Sequence, residues 1–391
     1  MQSPALRTDD TERTAGIFRL QLFKASEPFI TDPAQRMTRF RIVYIGRERF
    51  GESPNGASSL ALSDHSFRYG RLLRIGTVLT RSPLPYLERL AAHKLALLHA
   101  HFGPDAVASL PLAQHLDIPL ITSFHGYDVT IGSRQLLLSR RPSWWNYVMH
   151  RKQLAERGTT FLCTSNFIRD RAVSLGFPER RTRTHYIGVD TTSIRPENRR
   201  SPTPVVLHVA RLVEKKGTAD LLAAFARVRR VVTQCELWIV GEGPLESTLR
   251  AQADHLGLTA AVRFLGARPH AETLALMHQA WVFALPSVTA RNGDAEGMGM
   301  VLLEAAASGV PAVATRHGGI PEAVADGESG LLCSEHDIGA LSDSIIQLLR
   351  NDVLRRQIGH AARLRVERLF DLSRQSTALE QLYERAVTSS L

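Results

Sequence analysis

Two glutamates eight residues apart, Glu296 and Glu304, bracket the stretch of this chain best equipped for chemistry. Between them runs Gly-Met-Gly-Met-Val-Leu-Leu, a loop predicted to pass straight into a helix. Gly297 and Gly299 remove side chains where the backbone turns, so the amides of Gly297, Met298, Gly299 and Met300 can face a ligand. The helix that follows carries about half a positive charge at its N-terminus, which suits a phosphate. Glu304 falls about a turn and a half inside it, with its carboxylate projecting sideways. A carboxylate accepts from two neighbouring hydroxyls at once, the pair a ribose presents, and Glu296 on the loop side can hold a second polyol. Amides for phosphate and one carboxylate per sugar describe a site for a nucleotide-sugar.

A second pair of candidates lies upstream in Ala210-Arg-Leu-Val-Glu-Lys-Lys-Gly217, just beyond a predicted strand and ahead of a helix. Ligands of parallel sheets gather outside the carboxyl ends of strands. There Arg211 can grip a diphosphate as a fork and Lys216 as a point charge. Gly241-Glu-Gly-Pro-Leu245 also follows a strand and opens a helix, although a lone Gly-x-Gly is first of all a turn.

The elements that must position these groups form a regular alternation. Strands are predicted at 205–209, 237–240, 262–265, 281–284, 312–314 and 330–333, with helices between them and two more at 338–349 and 353–369. Short β-branched runs alternating with helices imply a parallel sheet covered on both faces. The first half repeats the plan less clearly. Strands are expected at 16–23, 40–45, 97–102, 119–123 and 160–164, helices at 85–96, 106–116 and 139–158, and Ser165 is set to cap a further helix. The expected division is a disordered tail at 1–14, an N-terminal domain at 15–190, a Pro- and Arg-rich linker at 191–204, a second domain at 205–371, and a C-terminal helix at 372–391 returning to the first domain. The fold class is therefore α/β, two doubly wound domains with a cleft between them.

Composition agrees with a globular protein: 391 residues, 44% hydrophobic and 22% charged. Cys163, Cys235 and Cys333 are far apart, without metal spacing, and read as reduced, buried residues of a cytoplasmic protein. The N-terminus has no apolar core of the signal-peptide kind, and no run of eighteen apolar residues occurs. The net charge of +10 is unevenly placed. Residues 1–200 hold 29 Lys and Arg against 17 Asp and Glu, whereas residues 201–391 hold 19 against 21. A basic first half attracts phosphates or anionic lipid. Two segments mix cations with aromatics as a membrane interface requires: Phe67–Arg74, with Arg68, Arg71 and Arg74, and the stretch from Arg140 to Lys152, with Arg141, Trp144, Trp145 and Arg151. No nucleic-acid signature accompanies the charge.

The stretch from Ala284 to Leu332, including Gly318-Gly-Ile-Pro-Glu322, resembles the nucleotide-sugar signature of the retaining GT-B glycosyltransferases of family four. The resemblance extends over about residues 97–371. It implies the GT-B fold, a UDP- or GDP-sugar donor, and a diphosphate grip by Arg211 and Lys216. It also implies that Gly241, Gly266, Ala267 and Arg268 line the base side of the site. Phe124-His-Gly-Tyr-Asp128 is similar to the family segment whose histidine faces the donor sugar, so His125 joins Glu296, Arg211 and Lys216 as an expected active-site contact. Residues 1–80 depart from the pattern, since the glycine-rich loop of many relatives after the first strand is missing. Ser26-Glu-Pro-Phe-Ile30 instead resembles the Ser-Glu-Thr-Phe-Ile of exopolysaccharide-assembling members, with Pro28 for threonine.

The resulting expectation is a metal-independent, retaining glycosyltransferase of cell-surface polysaccharide assembly, taking a lipid-linked or saccharide acceptor and peripheral on the inner face of the membrane. Metal independence follows from the missing Asp-x-Asp, to which Asp294-Ala-Glu296 is the nearest approach. A transferase with a small soluble acceptor is the alternative. A sugar-nucleotide epimerase shares the architecture but needs acids and bases around C2 of the sugar, and no such constellation is evident.

Overall fold

The computed structural model describes residues 13–24, 26–64 and 76–389. The tail at 1–12 and the basic-aromatic segment Phe67–Arg74 lie outside the described residues. Among the described residues thirteen strands form two sheets: β1 Arg13–Leu22, β2 Phe40–Arg49, β3 Ser59–Ala61, β4 Leu95–His101, β5 Leu120–Phe124, β6 Thr160–Cys163, β7 Thr182–Thr184, β8 Val205–Val209, β9 Glu236–Val240, β10 Val262–Gly266, β11 Val282–Leu285, β12 Ala312–Thr315 and β13 Gly330–Cys333. The first sheet has the order β3-β2-β1-β4-β5-β6-β7 and the second β10-β9-β8-β11-β12-β13. In each the chain winds outward one way, returns to the middle and winds the other way, the doubly wound plan expected from the sequence.

Val-Val-Leu-His-Val in β8 shows how local sequence makes the second sheet. Its first four residues are buried, as a strand covered on both faces requires. Val205 and Leu207 enter one core with Phe283, Leu285, Leu302 and Val366. Val206 points the other way, into a core with Phe225, Ile239, Leu341 and Ile345. The helices Thr218–Val231 and Ile338–Arg350 cover the second face, while Met300–Ala307 and Asp352–Leu369 contribute to the first. Asp337 and Asn351 cap the last two long helices of this unit by accepting from Ala340 N–H at 2.9 Å and Leu354 N–H at 3.0 Å. Ser165 caps Asn166–Ser174 in the same way, accepting from Ile168 N–H at 3.2 Å.

The chain divides into two compact units that do not break at residue 190. One holds residues 1–123, 140–161 and 376–391, and the other holds 124–139 and 162–375. The loops after β5 and β6 thus belong with the second sheet, because their backbones pack closely on its loops, as described below. The segment at 191–204, read from composition as a linker, is tied into this unit. Arg363 donates to the carbonyls of Thr191 and Ile194, each at 2.6 Å, and Ile194 is buried. In the other unit, Glu380 of the helix Leu372–Thr388 accepts from Thr38 N–H at 2.7 Å and Arg39 N–H at 2.6 Å, and Tyr383 meets His99 Nδ1 at 2.7 Å.

Two element boundaries shift for identifiable reasons. The helix expected over 85–96 spans Leu84–Leu90, because β4 already pairs with β1 from Leu95. The helix expected over 139–158 begins at Pro142, just after Arg140 takes a positive φ of 55°. No described helix is long and apolar enough to cross a membrane.

Candidate functional site

The order of the second sheet locates its site. β8 and β11 are neighbours in the sheet, and the chain departs from them in opposite directions, so the loops leaving their carboxyl ends flank the topological switch point. Those loops are 210–217 and 286–299, the two segments the sequence singled out. They are clamped together. Val288 N–H donates to the Lys215 carbonyl at 2.8 Å, and Arg291 N–H to Glu214 at 3.2 Å. Gly217, in the left-handed region at φ 63°, packs so tightly that a Cβ would lie 1.7 Å from the Pro286 carbonyl oxygen.

Two ion pairs complete the clamp. Lys215 Nζ lies 3.0 Å from Asp294 Oδ1, and Lys216 Nζ bonds Glu296 Oε2. Glu296 is buried. Desolvation alone would raise its pKa, but Lys216, then Lys215, then the hydrogen bond from Lys216 outweigh it and hold the carboxyl down at about 2. The structure therefore joins two residues that sequence reasoning had given separate tasks, Lys216 for phosphate and Glu296 for sugar. Arg211 is different. It is exposed, and its side chain makes no hydrogen bond or ion pair among the described residues, so its five donors face solvent beside the clamp.

Glu296-Gly297 is also held from its other sides. Gly319 N–H donates to the Glu296 carbonyl at 3.1 Å, and Glu296 N–H donates to His317 Nε2 at 3.0 Å. A Cβ on Gly297 would lie 2.2 Å from the His125 carbonyl oxygen, so only glycine lets the loop after β5 approach. That loop is shaped by Asp128, whose Oδ1 accepts from His125 N–H at 3.2 Å and Gly126 N–H at 2.9 Å. His125 itself is half-buried at this junction.

Gly299, at φ 81°, is the left-handed residue that opens the helix Met300–Ala307. Met298 and Met300 do not offer side chains to a ligand. Met298 belongs to the core, Met300 packs against it, and only their backbone is available. Glu304 Oε1 sits 3.0 Å from His270 Nε2, which places it beside the segment after β10. That segment is joined to the one after β9: Gly241 N–H donates to the Gly266 carbonyl at 2.8 Å, and Ala267 N–H donates to Glu242 at 3.2 Å. A Cβ on Gly241 would meet the Ala210 carbonyl oxygen at 2.0 Å, so the loops after β8, β9 and β10 form one edge. Arg268 stands apart from this packing, 43% exposed and 3.6 Å from Glu272 one helical turn on.

Three contributors escaped sequence reasoning. His317 and Glu335 support Glu296 from behind, and His317 directly precedes the Gly318-Gly319 pair, the one signal that marked its neighbourhood. The third, His208 of β8, bridges the switch point: its Nδ1–H donates to the Ala284 carbonyl at 2.8 Å, and its Nε2 accepts from Thr218 Oγ1 at 3.0 Å. Burial, opposed by that carbonyl and reinforced by Lys216, pushes the His208 pKa down to about 4, so it stays neutral. Glu322, quoted in the sequence motif without a task, caps the helix Asn166–Ser174, accepting from Asn166 N–H at 2.8 Å and Phe167 N–H at 3.1 Å. Among the described residues no cluster of His, Cys, Asp or Glu is arranged to hold a metal.

A doubly wound sheet with cations and glycine-shaped loops at its switch point places this chain in the α/β class whose ligands gather at that edge. Comparison narrows the class. Residues 190–365 match the family Glycosyl transferases group 1, and residues 41–193 match Glycosyltransferase Family 4. Together the matches run from residue 41 to residue 365, and over that span the chain is similar to the family 4, group 1 glycosyltransferases. It is 36% identical over 250 residues to a protein named as the putative colanic acid biosynthesis glycosyltransferase WcaL of Escherichia coli, covering 63% of this chain and 59% of that one. This chain thus spans about three fifths of the length of the colanic acid relatives it matches. A glycogen synthase of Mycobacterium tuberculosis is 28% identical over 340 residues, 83% of this chain and 78% of that one. Among solved structures, Anabaena Alr3699/HepE in complex with UDP and glucose superposes with a TM-score of 0.74 at 19% identity, covering 96% of this chain and all of that one, which establishes the shared fold.

Proposed function

We propose that this protein is a retaining, metal-independent glycosyltransferase. It moves a sugar from a UDP- or GDP-sugar to a saccharide or lipid-linked acceptor in cell-surface polysaccharide assembly. The observation that carries the reading is the placement of Arg211 and Lys216 on the loop after β8, at the switch point where such sheets bind nucleotides. Arg211, free of any carboxylate partner among the described residues, supplies a guanidinium fork for the donor diphosphate. Lys216 supplies a second cation, already oriented by ionised Glu296. Charge that builds on the departing phosphate is met by these preorganised groups and by the loop amides from Gly297 to Met300. Glu304 takes the ribose hydroxyls, and His125 faces the donor sugar. The retained configuration comes from same-face attack, with the departing phosphate accepting the acceptor's proton. The family match and the WcaL and glycogen synthase relatives support a transferase acting on sugars. The missing Asp-x-Asp supports metal independence.

The acceptor side is read from the basic first half. On the helix Pro142–Arg157, Trp144 is core at 8% exposure, whereas Trp145 (40%) and Met149 (73%) face solvent together with Lys152, and Arg140 and Arg141 are exposed just ahead of it. Exposed apolar and cationic residues on one surface support peripheral binding to anionic lipid, where a lipid-linked acceptor resides. A thermal-shift screen of UDP- and GDP-sugars, with UDP and GDP as controls, tests the donor assignment. Ligand at a hundred times its dissociation constant stabilises by about 2.7 kcal/mol. A chain indifferent to every nucleotide would refute the reading.

A further inference from the structure

Glu296 is held by a device that its own motif does not contain. Its backbone N–H donates to His317 Nε2 at 3.0 Å, and His317 Nδ1 lies 2.7 Å from Glu335 Oε1. An amide N–H only donates, so His317 Nε2 must be the acceptor and carry no proton. The imidazole then keeps its proton on Nδ1, and that Nδ1–H donates a hydrogen bond to Glu335, a carboxylate that only accepts. Both partners demand the same neutral tautomer, which is therefore fixed by chemistry. Glu335 is in turn anchored, because Thr289 N–H donates to its Oε2 at 2.8 Å. Thr289 lies on the loop after β11, His317 on the loop after β12 and Glu335 just beyond β13. The relay therefore ties three neighbouring strand ends to one carboxylate. His317 itself is buried, with its side chain 2% exposed.

We infer that His317 and Glu335 form a positioning dyad that fixes the backbone of Glu296, and through it the Glu296–Lys216 pair, in the geometry the donor site uses. The inference rests on the reading of Lys216 and Glu296 as donor-site residues. His317 touches neither the donor nor the reacting atoms. It acts by keeping the Ala295–Glu296 peptide from rotating away, since the carbonyl of that peptide, on Ala295, is met by Lys215 Nζ only at a long 3.5 Å among the bonds of the described residues. Loss of the acceptor leaves a buried N–H unsatisfied, and the peptide turns to find another partner. Lys216 then loses the carboxylate that orients it.

Glutamine and asparagine separate this role from simple support. In His317→Gln the longer side chain brings an amide oxygen to the place of Nε2 and restores the acceptor for Glu296. In His317→Asn the shorter one restores only a donor toward Glu335. The variants His317→Ala, His317→Gln and His317→Asn are to be compared by thermal unfolding and by kcat and KM for release of nucleoside diphosphate. The donor is whichever of UDP-glucose, UDP-N-acetylglucosamine and GDP-mannose the wild type turns over. His317→Ala and His317→Asn are expected to lose about tenfold or more in kcat, the factor attached to a buried donor without its acceptor, while His317→Gln recovers to within about threefold of wild type. The ranking is expected to hold even where the glutamine and asparagine variants melt together. Equal kcat for those two variants, or a wild-type kcat for His317→Ala, would overturn the proposal. A substrate-free arm stands beside it: 15N-histidine NMR of the wild type should show the His317 ring protonated on Nδ1 and bare on Nε2, the tautomer its two partners require. An Nε2-protonated ring or an imidazolium would overturn the dyad outright. If the wild type turns over no donor, the transferase reading fails, while the NMR result still decides the dyad.

Discussion

Replacing Lys216 with methionine leaves a buried carboxylate facing an apolar side chain of similar length, and the consequence depends on pH in a calculable way. Removing one partner of a buried ion pair costs about 3–5 kcal/mol, and the lower end applies here because Lys215 also attracts Glu296. For a domain of roughly 200 residues, about 3 kcal/mol corresponds to a fall in Tm of about 6–12 °C. In the wild type, Glu296 is held at about 2, below its unfolded value. Its contribution is therefore fully present above the unfolded pKa of about 4.3 and is lost only as pH falls from there toward 2. Between about pH 7.5 and pH 5 the wild type gains and loses nothing from this group. In Lys216→Met desolvation prevails, and the folded pKa rises above the unfolded one. The variant's folded state then binds a proton that the unfolded chain does not. Each pH unit between the raised folded value and about 4.3 returns about 1.4 kcal/mol to it. Urea unfolding at about pH 7.5, 6.5 and 5.5 should show a gap of about 3 kcal/mol that closes toward the acid end. Lys216→Met with Glu296→Gln, which removes both charges, should recover at least half of the loss at the alkaline end. A gap that ignores pH, or a double variant as unstable as the single one, would refute the argument.

Further expectations follow from the same geometry. Gly297→Ala drives a methyl against the His125 carbonyl, so overpacking should cost about 1–3 kcal/mol in chemical unfolding and reduce turnover as the loop shifts. Glu304→Ala should weaken binding of UDP or GDP, whichever the wild type accepts, by about ten- to a hundred-fold in calorimetry, the value of one or two charged hydrogen bonds. Unchanged affinity would remove Glu304 from the site. Turnover after exhaustive EDTA treatment should equal that with added magnesium or manganese. Abolition by chelation and restoration by metal would show that Asp294 and Glu296 hold a cation. Reversing Arg140, Arg141 and Lys152 to glutamate should abolish co-sedimentation with anionic vesicles at low salt while leaving nucleotide binding intact, since each cation near such a surface contributes about 1 kcal/mol.

The parts of the fold legible in the sequence were those written in short-range pattern. β8 could be placed from Val-Val-Leu-His-Val because a strand buried on both faces needs a continuous apolar run, and Ser165 because a cap is a local bond to a residue three places on. The edges of elements were lost where a partner distant in sequence decided them, as at Leu95, which β1 recruits into the sheet. The site divides along the same line. Gly297 and Gly299 announced a loop that must turn sharply, but nothing local said that Gly297 is needed because the His125 carbonyl, from a loop far earlier in the chain, comes within a methyl's reach. Nor did any spacing join Lys216 to Glu296, 80 residues apart, or His317 to Glu335 across a strand and its loops. Residue type gave each side chain its chemistry, while topology decided which chemistry it would meet. A carboxylate read from the sequence as a sugar ligand is also the counter-ion that orients Lys216, the lysine proposed for the donor phosphate. The two roles are compatible because a carboxylate has two oxygens and the lysine engages only Oε2. In the proposed site Glu296 holds Lys216 with one oxygen and keeps the other for a donor hydroxyl, a division of labour that requires an ionised carboxylate and accords with the lowering of its pKa by Lys216 and Lys215.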